Sequence, residues 1–319
     1  MTAPLYLDCD TGIDDALAIA VLLRSGAEPA GIGTVSGNVS AAVAARNTLH
    51  LLELAGRTDI PVAVGRHHPL GGAFGGGARD VHGAEGLGGL LVPEPLAQPV
   101  TSTAVELLLE LSHRHAGELD ILAIGPLTNV AEALAADPSL PERVRRVTIM
   151  GGAVEVPGNI TPAAEANIFN DPEAAEVVFA APWQITLVPL DVTMDHTITA
   201  EEVERLAHSG DPLLHAVALA FEVYLDFYAG VFESRSAALH DPLAALVALD
   251  ALSVTRTLSG PITVDTALGA ERGRTTRTDE RSAAAGRPAH TIVVATEPAA
   301  PAILAALVPE VRDFGRSGS

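Results

Sequence analysis

The 319-residue chain has no lysine, a single cysteine, a single tryptophan and only 3% aromatic side chains. Without lysine there is no Schiff-base nucleophile, no Walker-type phosphate loop and no lysine acid or base. Cys9 alone makes neither an intrachain disulfide nor a cysteine-based zinc site. Positive charge is scarce as well: 19 arginines face 40 acidic residues, for a net charge of −21. That charge repels a phosphate backbone, and no arginine-rich stripe offsets it, so nucleic acid is excluded as a partner. Long apolar runs are missing too. The run at 16–23 is far short of the ~20 residues that cross a bilayer, and no basic segment leads into an apolar one at the amino terminus. The expectation is a cytoplasmic protein with no membrane partner.

What remains is apolar and globular: 48% of residues are hydrophobic, so Ala, Leu and Val must fill the core. Short β-rich runs at 5–8, 31–35, 60–64, 120–124, 146–150 and 185–188 alternate with amphipathic stretches. The latter predict helices at 14–25, 40–55, 103–115, 129–136, 200–208, 212–228 and 242–249, with Gly26 and Gly56 as stops. Such alternation predicts an α/β fold: an open, mostly parallel central sheet with helices on both faces, Rossmann-like, in one domain over 1–319. Three stretches break the pattern. Residues 71–89 are glycine-dense and read as a mobile surface loop or lid, 151–170 as a long polar loop, and 271–287 as an exposed hairpin or loop. Trp183, just ahead of a strand, reads as core.

Ligands of open α/β sheets sit beyond the carboxyl ends of the strands, and the strongest chemical signal lies there. In LDCDTGIDD (7–15), Asp8, Asp10, Asp14 and Asp15 crowd the end of a strand and the first turn of a helix. Alternation puts Asp8 and Asp10 on one side of the strand and Cys9 on the other. Carboxylates this close repel unless a cation or protons neutralise them. With no lysine available, a hard divalent cation with oxygen ligands is the natural counter-charge. The bland alternative is that Asp14 and Asp15 only complement a helix dipole. A second signal, His240-Asp241-Pro242, fits an N-cap with proline in the first turn as well as it fits a ligand and a proton donor. Asp171-Pro172 and Asp211-Pro212 read as caps. The third signal, Asn159 with Glu165-Ala166-Asn167, offers the donors and acceptors that sugar hydroxyls require, or bonds within its own loop. Asn38 holds an equivalent strand-end place, or serves as a turn residue.

Together these pieces resemble the calcium-dependent nucleoside hydrolases of the inosine–uridine-preferring kind. The resemblance runs over about 5–294. It rests on the 7–15 motif, Gly37-Asn38, His82-Gly83-Ala84-Glu85-Gly86-Leu87-Gly88, Gly125-Pro126-Leu127-Thr128-Asn129 and Met150-Gly151-Gly152. It continues through Asn159 to Asn167, Asp171-Pro172-Glu173-Ala174-Ala175 and His240-Asp241-Pro242.

The resemblance implies hydrolysis of the N-glycosidic bond of ribonucleosides, with an inosine/uridine or pyrimidine-type preference and a homodimer or homotetramer. It implies a Ca²⁺ ion held by Asp10, Asp15, Asp241 and the backbone carbonyl of Ile124. A Ca²⁺-bound water would lose its proton to Asp10 as general base. Asp14 would hold the 2′-hydroxyl, Asn167 the 3′-hydroxyl, and Asn159 with Glu165 the 5′-hydroxyl. Met150 would pack under the sugar, and Asn38 matches a further ribose-pocket position. His240 would give the departing base a proton or hydrogen bond, with Tyr228 assisting or lining the base site and His82 closing over the pocket. Two other readings compete. A haloacid-dehalogenase-like phosphatase shares the strand-end Asp-x-Asp but leaves Asp14 and Asp15 without a role. A non-catalytic calcium- and ribose-binding sensor differs only in lacking turnover.

Overall fold

The computed structural model describes residues 3–278 and 286–308. Its strands are β1 Leu5–Cys9, β2 Pro29–Thr34, β3 Val62–Val64, β4 Leu119–Ala123, β5 Val144–Met150, β6 Ile185–Val188, β7 Thr197–Thr199, β8 Ser236–Ala238, β9 Val254–Gly260, β10 Ile262–Val264, β11 Thr275–Arg277 and β12 His290–Thr296. Eight of them form one sheet in the order β3-β2-β1-β4-β5-β6-β12-β9. Its neighbours run parallel except β9, which closes one edge antiparallel to β12. This is the predicted α/β architecture.

Burial on both faces explains why β1 is apolar at almost every position. Pleating sends Leu5, Leu7 and Cys9 into one core and Tyr6 into the other. The first core lies under helices Ile13–Arg24, Ala41–Leu54, Pro212–Tyr228, His240–Ala248 and Ala299–Leu307. The second lies under Ala104–Arg114, Thr128–Ala136 and Pro172–Ala180. Each fully buried Leu or Val contributes roughly 1.5–3 kcal/mol, so these layers, not the exposed charges, hold the sheet. Trp183 joins the second core, its indole N–H donating to the Val178 carbonyl at 2.9 Å.

Predicted strands and helices fall within a few residues of the observed ones. The pattern missed β9, β12 and helix Ala299–Leu307, the short strands β7, β8 and β10 and the short helix Leu190–Thr193, and of helix Pro172–Ala180 it read only the cap. β9 is exposed along most of its length, so it carries no alternation of polar and apolar positions. The 71–89 segment is exposed over most of its first half, while residues Arg79–His82 form a short helix and His82 and Leu87 are buried. Gly88 N donates to the His82 carbonyl at 2.8 Å, closing this half of the segment on itself, and Gly88 lies against Ala220 and Val223 of helix Pro212–Tyr228. The 151–170 loop contains the short helix Ala166–Asn170. Within 271–287, β11 pairs antiparallel with β10 as a hairpin, while residues 279–285 of that stretch lie outside the described residues. Among the described residues no helix is long and apolar enough to cross a membrane.

From β1 the chain winds outward to β3 on one side and, from β4, to β6 on the other. The order reverses between β1 and β4, and a crevice opens beyond their carboxyl ends. The residues after β1 and β4 include Asp10 and Ile124.

Candidate active site

Asp8 is the penultimate residue of β1, which is buried along its whole length. Its Oδ1 accepts from Asn129 Nδ2 at 2.8 Å, while its Oδ2 has no hydrogen-bond partner. Burial pushes its pKa up to about 7 against the pull of the Asn129 bond. Asp10 lies two residues further, just past the end of β1. Asn38 N donates to its Oδ2 at 2.6 Å, and its Oδ1 is buried without a partner. Burial, followed by the charges of Asp14 and Glu165, pushes Asp10 up to about 7 as well. A Cβ on Gly37 would overlap this carboxylate, so only glycine lets the β2 loop come so close.

Asp15 closes the first turn of helix Ile13–Arg24 by accepting from Gly12 N at 2.7 Å, and it also accepts from Asp10 N at 3.3 Å. Asp14 accepts from the Tyr224 hydroxyl through Oδ2, while its Oδ1 makes no hydrogen bond and lies 3.9 Å from His82 Nδ1. Asp241 is not a cap. The helix His240–Ala248 has Leu239 at its N-cap position, which leaves the Asp241 carboxylate inside the first turn and free of capping. By contrast Asp171 caps through Ala174 N at 3.1 Å and Asp211 through Leu213 N at 2.9 Å.

Carboxylate oxygens of Asp14, Asp15 and Asp241 lie within 4.8 Å of one another. Burial first, and then the neighbouring carboxylates, raise Asp15 and Asp241 well above the usual carboxylate range. Asp10 sits beside this trio rather than within it, tied to Asn38. Among the described residues no arginine lines the pocket above. An all-oxygen donor set, with orphaned buried oxygens on Asp10 and Asp14, fits a hard divalent cation.

Above this floor is a cavity of about 340 Å³. Asp14, Asn38, His82, Ile124, Met150 and Asp241 form its lower wall, with Asp10 and Asp15 beneath the lining. One side is the 151–170 loop. Glu165 caps helix Ala166–Asn170, accepting from Asn167 N at 2.8 Å and Ile168 N at 3.1 Å, and it also takes Gly152 N at 2.9 Å. Burial raises its pKa while those bonds hold it down. Asn167 Nδ2 reaches the Ile124 carbonyl at 3.0 Å and the Met150 carbonyl at 3.3 Å. Asn159 Oδ1 accepts from Ala166 N at 3.0 Å. The opposite side carries Tyr228 and His240, whose Nε2 lies 2.6 Å from the Tyr228 hydroxyl. Burial lowers the His240 pKa to about 4 and lowers that of His82 too, with Asp14 opposing both. His82 Nδ1 accepts from Ile13 N at 3.1 Å, which orients the ring toward the cavity.

Of the catalytic, metal and substrate candidates singled out in the sequence, all but Asp10 and Asp15 line this cavity; Asp15 belongs to the carboxylate trio, and Asp10 N donates to it. Sequence reasoning missed Tyr224, Phe227 and Val231, which share the wall with Tyr228. Tyr224 and Phe227 lie on helix Pro212–Tyr228 at three- and four-residue helical spacing with Tyr228 nearby, which was the available signal, while Val231 lies in the turn after the helix. Met194, Val81 and Ile160 were missed as well, and no local pattern marks them.

A pocket floored by carboxylates and walled by amides and tyrosines, at the switch point of a parallel sheet, defines an α/β enzyme for a small polar molecule. The chain belongs to the inosine-uridine preferring nucleoside hydrolase family, whose model matches residues 5–302. It is a ribonucleoside hydrolase. It is 42% identical over 246 residues to the probable uridine nucleosidase 2 of Arabidopsis thaliana, a match covering 76% of each chain. It is 41% identical over 250 residues to the pyrimidine-specific ribonucleoside hydrolase RihA of Citrobacter koseri, covering 76% of this chain and 78% of that one. Among solved structures, the plant nucleoside hydrolase PpNRh1 superposes with a TM-score of 0.91 at 32% identity, covering 97% of this chain and 99% of that one.

Proposed function

We propose that this enzyme hydrolyses pyrimidine ribonucleosides, uridine foremost, to free base and ribose, with a calcium ion on its carboxylate floor. The observation that carries the reading is the buried set of carboxylates with orphaned oxygens on Asp10 and Asp14, placed at a pocket lined by amides, tyrosines and histidines. Asp10, Asp15, Asp241 and the Ile124 carbonyl would hold the ion, with Asp14 close by. Bound there, calcium supplies a Lewis acid that lowers the pKa of a nearby water and neutralises the repelling acids.

Asp10 accepts the proton of the attacking water. Its orphaned Oδ1 leaves a lone pair for this, and burial keeps it more basic than an exposed carboxylate. Asp14 holds the 2′-hydroxyl, Asn167 the 3′-hydroxyl, and Asn159 and Glu165 the 5′-hydroxyl, while Met150 lies under the sugar and Asn38 completes the ribose wall. Holding the ribose on every side orients C1′ and favours ring distortion toward an oxocarbenium ion. His240 and Tyr228 stabilise the departing base from the other wall, with His82 beside Asp14. The names of the relatives above point to a pyrimidine base.

The test is ribose release from uridine, cytidine, inosine and adenosine, with and without a strong calcium chelator. Chelator-sensitive release, fastest from uridine, is the expected result. Binding of uridine without release would make the protein a sensor. Release that is fastest from inosine or adenosine would overturn the base assignment.

A further inference from the structure

His240 engages two hydroxyls at once. Its Nε2 lies 2.6 Å from Tyr228 Oη and its Nδ1 lies 2.8 Å from Thr193 Oγ1. A neutral imidazole has one N–H, so one nitrogen donates and the other accepts. Which does which depends on the two hydroxyls. Thr193, at the end of the short helix Leu190–Thr193, is 0% exposed, and His240 Nδ1 is its one side-chain hydrogen-bond partner among the described residues. If Thr193 only accepted, its own hydrogen would be buried with nothing to receive it, at a cost of roughly 1–3 kcal/mol. Tyr228 is under no such constraint, because it lines the cavity and a bound ligand can take its hydrogen.

We propose that Thr193 is a positioning residue: its hydroxyl donates to Nδ1 of His240, which fixes the ring N–H on Nε2, facing Tyr228 and the base site. The result is a directed row of donors. Thr193 O–H donates to His240 Nδ1, His240 Nε2–H donates to Tyr228 Oη, and the Tyr228 O–H, which also has the Tyr224 hydroxyl beside it, is left to turn to a bound base. Each bond polarises the next. As the glycosidic bond breaks, its electron pair moves onto the departing pyrimidine, whose ring nitrogen and adjacent carbonyl oxygen gain negative charge. Donors already aimed at that charge stabilise the transition state more than the ground state. No proton changes owner in this role. With the opposite tautomer, Tyr228 would spend its hydrogen on His240 and present only lone pairs to a developing anion. The inference rests on the proposed function, in that it assigns His240 and Tyr228 to the departing base.

The experiment compares uridine with p-nitrophenyl β-D-ribofuranoside, whose nitrophenolate departs without help from a donor. Thr193→Val keeps the shape and removes the hydroxyl; Thr193→Ser restores it. For Thr193→Val, kcat on uridine should fall by about 10- to 100-fold, with KM little changed and the aryl riboside much less affected. Thr193→Ser should recover most of the uridine rate. Equal losses on both substrates, no loss on uridine, or failure of serine to rescue would each overturn the proposal. His240→Ala, assayed alongside, separates the two claims. If it shows no bias against uridine, the placing of His240 beside the base is wrong and the Thr193 role goes with it. If it shows the bias and Thr193→Val does not, only the Thr193 role is wrong.

Discussion

The Tyr224 hydroxyl donates to Oδ2 of Asp14 at 3.1 Å across 210 residues of sequence. This bond ties helix Pro212–Tyr228, which lines the pocket through Tyr224, Phe227 and Tyr228, to a carboxylate on its floor. It leaves Oδ1 of Asp14 as the oxygen free to meet a ligand. Tyr224→Phe keeps the ring and removes the bond. We expect a stability loss of about 1 kcal/mol and a KM for uridine raised several-fold, read by urea titration and steady-state kinetics. An unchanged KM would remove Asp14 orientation from the role of Tyr224.

Asp10→Asn keeps the size of the side chain and a hydrogen-bond acceptor for Asn38 N, but its neutral amide is a poor proton acceptor. Folding and most of the bound calcium should survive, while kcat falls by roughly 10²- to 10⁴-fold. Elemental analysis of the variant together with its turnover checks both halves. Turnover near that of the unmodified enzyme would sink the general-base assignment.

Chelated protein should lose stability as pH rises. Asp8 and Asp10 ionise near 3.8 when unfolded but at about 7 when folded. Between those values the unfolded chain has released protons that the folded one still holds, so unfolding is favoured progressively from about pH 4 through 7. Melting temperature in chelator should therefore be higher at pH 5.5 than at 7.5, and added calcium should raise it more at 7.5. A chelated protein that is more stable at 7.5 would contradict the raised pKa values.

Asn129 is fully buried and joins three strand ends. Its Nδ2 donates to Asp8 Oδ1 at 2.8 Å and the Thr34 carbonyl at 3.0 Å, and its Oδ1 accepts from Arg66 N at 2.9 Å. Asn129→Leu strands all three partners. A stability loss of about 3 kcal/mol is expected, measured as a lower urea midpoint. A loss below about 1 kcal/mol would mean that water replaces the amide in full.

Much of this was local enough to read along the chain. The βα alternation predicted the sheet because period-2 and period-3.6 patterns depend only on which face of an element is buried. The cap roles of Asp171 and Asp211 were legible because a cap needs only its own helix. β9 escaped, since its exposed residues follow no burial pattern and its place at the edge comes from pairing with β12. Within the glycine-dense 71–89 segment, the burial of His82 and Leu87 was not legible, because the helix they pack near lies more than a hundred residues away.

The sequence by itself determined the chemical inventory: no lysine, a crowd of carboxylates at the end of the first strand, and amides and histidines in strand-end loops. Those follow from composition and short-range spacing, and no folding step can change them. Only the tertiary structure decided which groups meet. It brought Asp241 to Asp14 and Asp15 rather than leaving it as a cap, set Thr193 against His240, and turned Tyr224 onto Asp14. These contacts depend on how each helix is rotated where it crosses the sheet, which is fixed by packing of both cores at once. A one-residue turn of helix Pro212–Tyr228, about 100°, would leave every local pattern intact and take both tyrosines out of the pocket.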